Sequence, residues 1–334
     1  MVGEKSVGIL GIGSYVPDAI VTNHDLEQML DTSASWIVER TGITERRVAK
    51  DGEATSDLAT RAAAKALLDA GVSAEEIDLI IVATVTPDMV FPSVACIVQE
   101  NLKASQAAAF DLTAVCSGFM YGLATGSAFI QSGTYNKVLV IGAETLSRIT
   151  DWTDRNTAII FGDGAGAVVL GEVPSGYGIR GMHLGSDGAG GDLLKIPAGG
   201  SRQPASVETI ANRRHFIYMD GNEVFKFAVK VMGEAARKAL ENAKLSPADI
   251  TFLVPHQANI RIIQSAAKRL NLPMEKVVVN VDKYGNTSAA SIPIALEEAI
   301  HSGRIKNDDI IMLVGFGGGL TWGASVIKWY KQRN

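Results

Sequence analysis

AAAKALLDAGVSAEEIDLIIV at residues 62–82 returns, without a gap, as AARKALENAKLSPADITFLVP at residues 235–255. The two copies share alanines and pair Lys65 with Lys238, Leu67 with Leu240, Ser73 with Ser246 and Ile77 with Ile250, an offset of 173. Each copy reads as an Ala-rich helix, a turn and an apolar strand. The same offset lays KVLVIGAE at Lys137 over IIMLVGFG at Ile310, strand upon strand. Between these regions the alignment slips by three, so that IQSG at Ile130 meets IHSG at Ile300, and the shorter offset puts Cys116 opposite Asn286. Ala-rich helices before apolar strands recur in α/β proteins, but two regions agreeing on one offset indicate duplication. The expected organisation is two similarly folded halves, 1–173 and 174–334. Apolar runs such as IDLIIVATV and KVVVNV alternate with helical segments, which predicts an α/β protein whose sheets are covered on both faces.

Composition agrees with a large globular core. The chain has 334 residues, 47% hydrophobic and 20% charged, with a formal net charge of −5. No basic stripe dominates any region, which gives no reason to expect nucleic acid as a partner. Its two cysteines, Cys96 and Cys116, are too few for a disulfide framework, and no Cys/His run has zinc-ligand spacing. These features predict a cytoplasmic protein without a metal. The N-terminal MVGEKSVGILGIGSYVPD lacks the basic and long apolar regions of a secretory signal.

Two stretches invite other readings. IIMLVGFGGGLTWGASVI, from Ile310, is uncharged and long enough to suggest a membrane helix, but its five glycines favour two buried strands joined by a glycine-rich turn. GILGIGSYV at Gly8 resembles a dinucleotide-binding fingerprint, yet Val16 stands where the third glycine belongs.

The candidate chemistry lies at strand ends. In TAVCSGF, Cys116 sits among small residues where a strand turns into a helix. There the helix dipole is expected to lower its pKa and make it a nucleophile; the other reading is a small buried hydrophobe. Cys96, with apolar neighbours at helical spacing, reads as such a hydrophobe. His256 in VPHQAN follows a buried strand directly and is either structural or catalytic. Asn286 in YGNTSAAS is a turn or cap residue or a donor. Gly317–Gly319 form a hairpin turn or a loop whose backbone N–H groups can meet an oxyanion.

TAVCSGF, VPHQAN, YGNTSAAS and GFGGGLTWG, in that order, resemble the Cys-His-Asn motifs of β-ketoacyl-acyl-carrier-protein synthase III, and WIVERTGITERR at Trp36 and DGNEVFKFAV at Asp220 fit the same family. The resemblance spans the chain. It implies a thiolase-like, internally duplicated αβαβα fold and a homodimer. It also implies a decarboxylating condensation of a short acyl-CoA primer with malonyl-acyl carrier protein, initiating fatty acid biosynthesis without a cofactor. Carried over residue by residue, Cys116 is the acylated nucleophile and His256 and Asn286 stabilise the enolate. Backbone N–H groups of Cys116 and Gly318 form the oxyanion hole. Trp36 and Arg155 flank the adenine of coenzyme A, Arg40 reaches phosphate, and Phe225 and Asn259 line the pantetheine tunnel. Phe91 enters the partner's acyl pocket. Arg261, Lys268 and Arg269 are expected to dock the acidic carrier, since residues seven apart share a helix face. Val115 departs from the Ala common among relatives. Another thiolase-fold acyltransferase of secondary metabolism and a non-catalytic acyl-CoA-binding protein are the alternative readings.

Overall fold

The computed structural model describes residues 5–331. Residues 1–4 and 332–334, the outermost ends of the two halves read above, lie outside the described residues.

Two mixed sheets organise the chain. The first contains β1 (Val7–Tyr15), β2 (Leu79–Ala83), β3 (Ala108–Leu112), β4 (Val138–Thr145) and β5 (Asp163–Glu172), in the spatial order β1-β5-β4-β2-β3. The second contains β6 (Gly178–Ser186), β7 (Phe252–Pro255), β8 (Ile310–Gly317) and β9 (Thr321–Lys328), in the order β6-β9-β8-β7. The orders correspond position by position. Where β3 flanks β2, a single parallel bridge from Leu253 to Val277 flanks β7. Directions correspond too: β4–β2 and β8–β7 are parallel, while β4–β5, β5–β1, β8–β9 and β9–β6 are antiparallel.

The helices of eight residues or more are α1 (Ala34–Thr41), α2 (Thr55–Ala70), α3 (Val94–Leu102), α4 (Gly118–Gln131), α5 (Gly221–Ala243), α6 (Ile260–Arg269) and α7 (Ser291–His301). The repeated stretch folds as read. α2 ends on left-handed Gly71 and α5 on left-handed Lys244. Ser73 N–H then donates to Glu76 at 2.9 Å and Ser246 N–H to Asp249 at 2.8 Å, each capping a single helical turn that leads into β2 or β7.

Burial explains the layering. Strand residues alternate between faces, and in β4 both faces are buried. Val138 and Val140 join a cluster with Phe119 and Leu123 of α4, Ile292 and Leu296 of α7, and Ile311 and Leu313 of β8. Leu139 and Ile141 join one with Ala62 and Ala66 of α2 and Val98 of α3. On the far face of the second sheet, Met312 and Val314 meet Met232 of α5 and Ile263 of α6. The order is therefore helices, sheet, the buried pair α4 and α7, sheet, helices, as the resemblance implied. Gly118, Gly122 and Gly126 bring α4 onto the first sheet: a Cβ on Gly122 would stand 2.7 Å from Val140 Cγ1.

One register read from sequence needs correction. The single turns Val115–Ser117 and Ser288–Ala290 precede α4 and α7 at a constant offset of 173, and both start at φ 49°. Cys116 thus corresponds to Ala289, not Asn286. The three-residue slip is absorbed inside the helices, 14 residues in α4 against 11 in α7. Identical letters at the helix ends concealed this, because helix length can change without disturbing the turn that begins it.

The remaining expectations resolve simply. Ile310–Ile327 is the hairpin β8–β9, and among the described residues no helix is long and apolar enough to cross a membrane. Gly11 and Gly13 in β1 serve close packing: a Cβ there would lie 2.3 Å from Ala70 N and 2.5 Å from Ala66 N of α2.

Candidate active site

Three loops from different parts of the fold meet at one cleft of about 430 Å³, which runs from half-buried Trp36 and exposed Arg40 down to Cys116, His256 and Asn286. Their exposures of 6%, 0% and 6% place all three at its closed end.

Cys116 lies in the turn before α4. Thr321 Oγ1 accepts from Ser117 Oγ at 2.8 Å and lies 3.0 Å from both the Ala114 and Gly318 carbonyls, which ties this turn to the β8–β9 loop. Gly317 must lack a side chain here, since a Cβ would stand 2.6 Å from Cys116 N. It is Gly317 that lines the cleft beside Cys116; Gly318 follows it, next to Leu194 O and Val115 Cγ2.

His256 directly follows β7, its N–H donating to Val314 O at 2.8 Å. Nδ1 lies 2.6 Å from Ser291 Oγ, and buried Nε2 has no partner among the described residues. Asn286 is clamped by its backbone: its N–H donates to Ile160 O at 2.9 Å and its carbonyl accepts from Gly162 N at 3.1 Å. The preceding Gly285 has φ 63°, and a Cβ there would meet Ile160 O at 2.7 Å. Asn286 Oδ1 accepts from Ser288 N–H at 2.8 Å, which turns Nδ2 toward the cleft.

The electrostatics overturn one expectation. Burial pushes the Cys116 thiol up to about 12, against the Ser288 hydroxyl, which lowers it, and with the Glu144 charge, which raises it further. Loss of hydration outweighs the hydrogen bonds that favour the thiolate. Burial also holds His256 down at about 3, so the imidazole is neutral at physiological pH. The resting pair is a thiol and a neutral imidazole. Cys96, expected to be buried, is exposed on α3.

The other residues picked out in the sequence fall as follows. Arg40 and Arg155 place their guanidiniums 5.3 and 5.0 Å from the Trp36 ring centroid. Phe225 and Asn259 line the cleft; Asn259 also caps α6 through Arg261 N–H at 2.8 Å and donates to Arg40 O at 3.0 Å. Arg261, Lys268 and Arg269 are exposed on α6. Phe91 is 83% exposed, away from the cleft, on a loop held by Asp88, which accepts from Ser56 Oγ at 2.6 Å, and by Asp111, which accepts from Val94 and Ala95 N–H at 2.8 Å. A second, apolar cavity of about 200 Å³ adjoins Cys116 between Val115, Leu146, Ile149, Phe161 and Ile217. Among the described residues no group of three or more His, Cys, Asp or Glu is placed to hold a metal ion.

Sequence reading missed Ser288, Ser291 and Glu144. The serines stood within the quoted YGNTSAAS, and Glu144 ended the quoted strand KVLVIGAE, where a lone acid after an apolar run was the available signal.

A buried thiol, a neutral imidazole and a side-chain amide meeting in one cleft, on a layered and duplicated fold, is the arrangement of the thiolase-fold condensing enzymes. The family model described as 3-oxoacyl-[acyl-carrier-protein (ACP)] synthase III matches residues 110–188, and that of its C-terminal part residues 240–329. β-Ketoacyl-[acyl-carrier-protein] synthase III of Caldanaerobacter subterraneus subsp. tengcongensis is 62% identical over 331 residues, covering 99% of this chain and 100% of that protein. The solved structures of the synthase III from Thermus thermophilus and Aquifex aeolicus are 50% and 48% identical, with TM-scores of 0.91 and 0.90. Each covers 97% of this chain and 100% of its own. The chain belongs to the β-ketoacyl-[acyl-carrier-protein] synthase III family. It is an acyltransferase that initiates fatty acid synthesis by condensing an acyl group from coenzyme A with malonyl-acyl carrier protein.

Proposed function

We propose that the reaction proceeds through an acyl-Cys116 intermediate, with His256 and Asn286 stabilising the enolate that follows decarboxylation. The observation that carries this reading is the meeting of these three side chains at the closed end of one cleft. In the first half-reaction the Cys116 sulfur attacks the acyl-CoA carbonyl. Its proton passes to His256 Nε2 and on to the departing coenzyme A sulfur, while the Cys116 and Gly318 N–H groups face the oxyanion. Nε2 is then a base, so Nδ1 carries a proton toward Ser291 Oγ. In the second half-reaction malonyl loses CO₂, and the enolate oxygen accepts from Nε2–H and from Asn286 Nδ2. Ser291 serves this tautomer too, because its hydroxyl donates to Nδ1. Burial suits the imidazole to this work, since a neutral ring can accept a proton at Nε2 in the first half-reaction and, in the other tautomer, donate from it in the second. The chemistry as written needs no metal or organic cofactor.

Coenzyme A fits the outer cleft, with adenine between Trp36 and Arg155 in place of their direct stack, phosphate at Arg40, and pantetheine along Phe225 and Asn259. The acyl chain enters the apolar cavity beside Cys116, which suits a short straight or branched primer. Mixing the protein with acetyl- or isobutyryl-CoA should add the corresponding acyl mass to Cys116 in intact-protein and peptide mass spectra. Folded protein that gains no adduct from either would overturn the reading.

The carrier protein docks on the exposed face of α6. Arg261 Cζ lies 6.0 Å from the Phe225 ring, so this positive face borders the cleft that the carried substrate must enter. Arg261→Glu should raise KM for malonyl-carrier about three- to tenfold at low salt, less at high salt, and leave KM for acyl-CoA unchanged. Equal effects on both substrates would remove the docking role.

A homodimer accounts for the exposed apolar tip Met89–Val90–Phe91, which is held in place by the hydrogen bonds of Asp88 and Asp111 and which a partner would cover. Phe91 then completes the acyl cavity of the partner. Sedimentation at micromolar concentration should give a dimer, and Phe91→Asp a monomer of much lower activity. The enzyme works in the cytoplasm, where its thioester substrates are.

A further inference from the structure

Glu144 is fully buried near the end of β4, and the described groups that favour its charge are hydrogen-bond donors with no cation among them. Its carboxylate accepts from Thr86 Oγ1 at 2.6 Å, Thr84 Oγ1 at 3.2 Å, Val85 N–H at 3.1 Å and Ser288 Oγ at 3.0 Å. Every donor is neutral. A buried carboxylate held this way is costly, and replacing it with apolar side chains would remove that cost, so its position calls for a reason. The last of its donors supplies one. Ser288 and Cys116 line the same apolar cavity, and the Ser288 hydroxyl, held by Glu144, also serves the Cys116 thiol. That hydroxyl has a single proton, which can point to only one of them.

We propose that Glu144 is a positioning residue for the nucleophile, acting through Ser288. When the carboxylate is ionised it draws the Ser288 proton to Oε1, leaving an oxygen lone pair toward sulfur, an arrangement that accepts from the thiol and opposes the thiolate. When the carboxyl is protonated it donates to Ser288 Oγ, and the serine proton turns toward sulfur, where it stabilises the thiolate. The only proton gained is the one taken from solvent by the carboxylate, and the thiol's own proton leaves to water.

Burial raises Glu144 to about 7, so both arrangements are populated under physiological conditions. The titratable groups around the relay are few. Cys116 comes from the turn before α4 and His256 from the end of β7; His256 stays neutral across this range. Asp163, opposite Thr145 on β5, is engaged by Ser147 and the Ala49 N–H. Lys195, which lines the same cavity, is paired with Asp192 at 2.6 Å.

The sign follows directly. As pH rises through Glu144's titration the carboxylate ionises and the thiol becomes harder to ionise. The logarithm of the alkylation rate should therefore climb less than one decade per pH unit in that window. The experiment is iodoacetamide alkylation of Cys116 in the full-length protein from about pH 5.5 to 9.5, read by peptide mass so that exposed Cys96 is scored separately. Glu144→Gln should restore unit slope and move the profile down by about one pH unit, roughly tenfold faster alkylation on the rising limb. Glu144→Asp should keep the shallow window, and Ser288→Ala should lose it. A Glu144→Gln profile superimposable on the wild type would overturn the proposal. So would a Glu144→Gln shift equally large in the Ser288→Ala background, because the charge would then act on Cys116 without Ser288. Should Glu144→Gln fail to fold, Ser288→Ala decides alone: a shallow window that persists overturns the relay. The proposal rests on Cys116 being the nucleophile, but alkylation reads the thiol itself, so failure of acyl transfer from coenzyme A would be seen separately.

Discussion

Cys116→Ala should abolish condensation, by about 10⁴-fold or more, and still release CO₂ from malonyl-carrier. The reason is a division of labour in the cleft. In the proposed mechanism the sulfur is needed only to hold the primer, whereas loss of CO₂ uses two neutral donors, His256 Nε2–H and Asn286 Nδ2, which stand on other elements and do not rely on Cys116 for their placement. Adding His256→Ala or Asn286→Ala to the Cys116→Ala protein should then cost about 10²- to 10³-fold in decarboxylation, the usual effect of deleting one oxyanion donor. Because burial keeps the imidazole neutral, with its pKa at about 3, the decarboxylation rate should show no inflection near the ordinary histidine value between about pH 5.5 and 8. Radiolabelled CO₂ release checks each point. A Cys116→Ala protein that is folded but releases no CO₂ would mean that the thiol, or the acyl group on it, takes part in decarboxylation.

Gly142→Ala should be among the most destabilising single changes available in this chain. Gly142 lies in the middle of β4, where α7's opening turn crosses the first sheet, and a Cβ there would stand 2.2 Å from Ala289 O and 2.7 Å from Ala289 C. Both neighbours are backbone, and that turn also carries Ser288, which orients Asn286 and meets Glu144. Relief by rotamer change is therefore impossible, and the two halves must separate along their shared seam. Overpacking of this kind costs about 1–3 kcal/mol or more. Gly188→Ala, where a Cβ meets nothing within 4 Å, should change stability by less than about 0.5 kcal/mol. Denaturant titration of the two variants against wild type measures the contrast, and activity should fall with stability only in Gly142→Ala. Equal midpoints for both would show that the seam has slack that the static contacts do not reveal.

Much of this was legible in the letters. The 173-residue offset gave two copies of helix, turn and strand, and the strands of each copy take corresponding places in the two sheets. Local signals carry such information well, because a Ser followed three positions later by an acid caps the same turn wherever it occurs. The thiol, the imidazole and the amide were each findable at a strand end, and their motifs in order identified the family.

What failed shared one cause. The expected low thiol pKa followed from Cys116's place at a helix start, but burial depends on what the rest of the chain packs over that start, and here it wins. Cys96 has apolar sequence neighbours yet faces out, because helix periodicity says which residues share a face and not which face is covered. The pairing of Cys116 with Asn286 failed because letters do not reveal that α7 is three residues shorter than α4.

By itself the sequence determined the element types, the duplication, the four motifs and the family, all of which rest on short-range patterns and their spacing. Only the tertiary structure decided the charge states of Cys116, His256 and Glu144, the closeness of Gly317 to the nucleophile, and the convergence of Ser288 and Ser291 on the site. Those depend on desolvation and on distances between segments separated along the chain, and both come into being only when the chain packs into its tertiary fold.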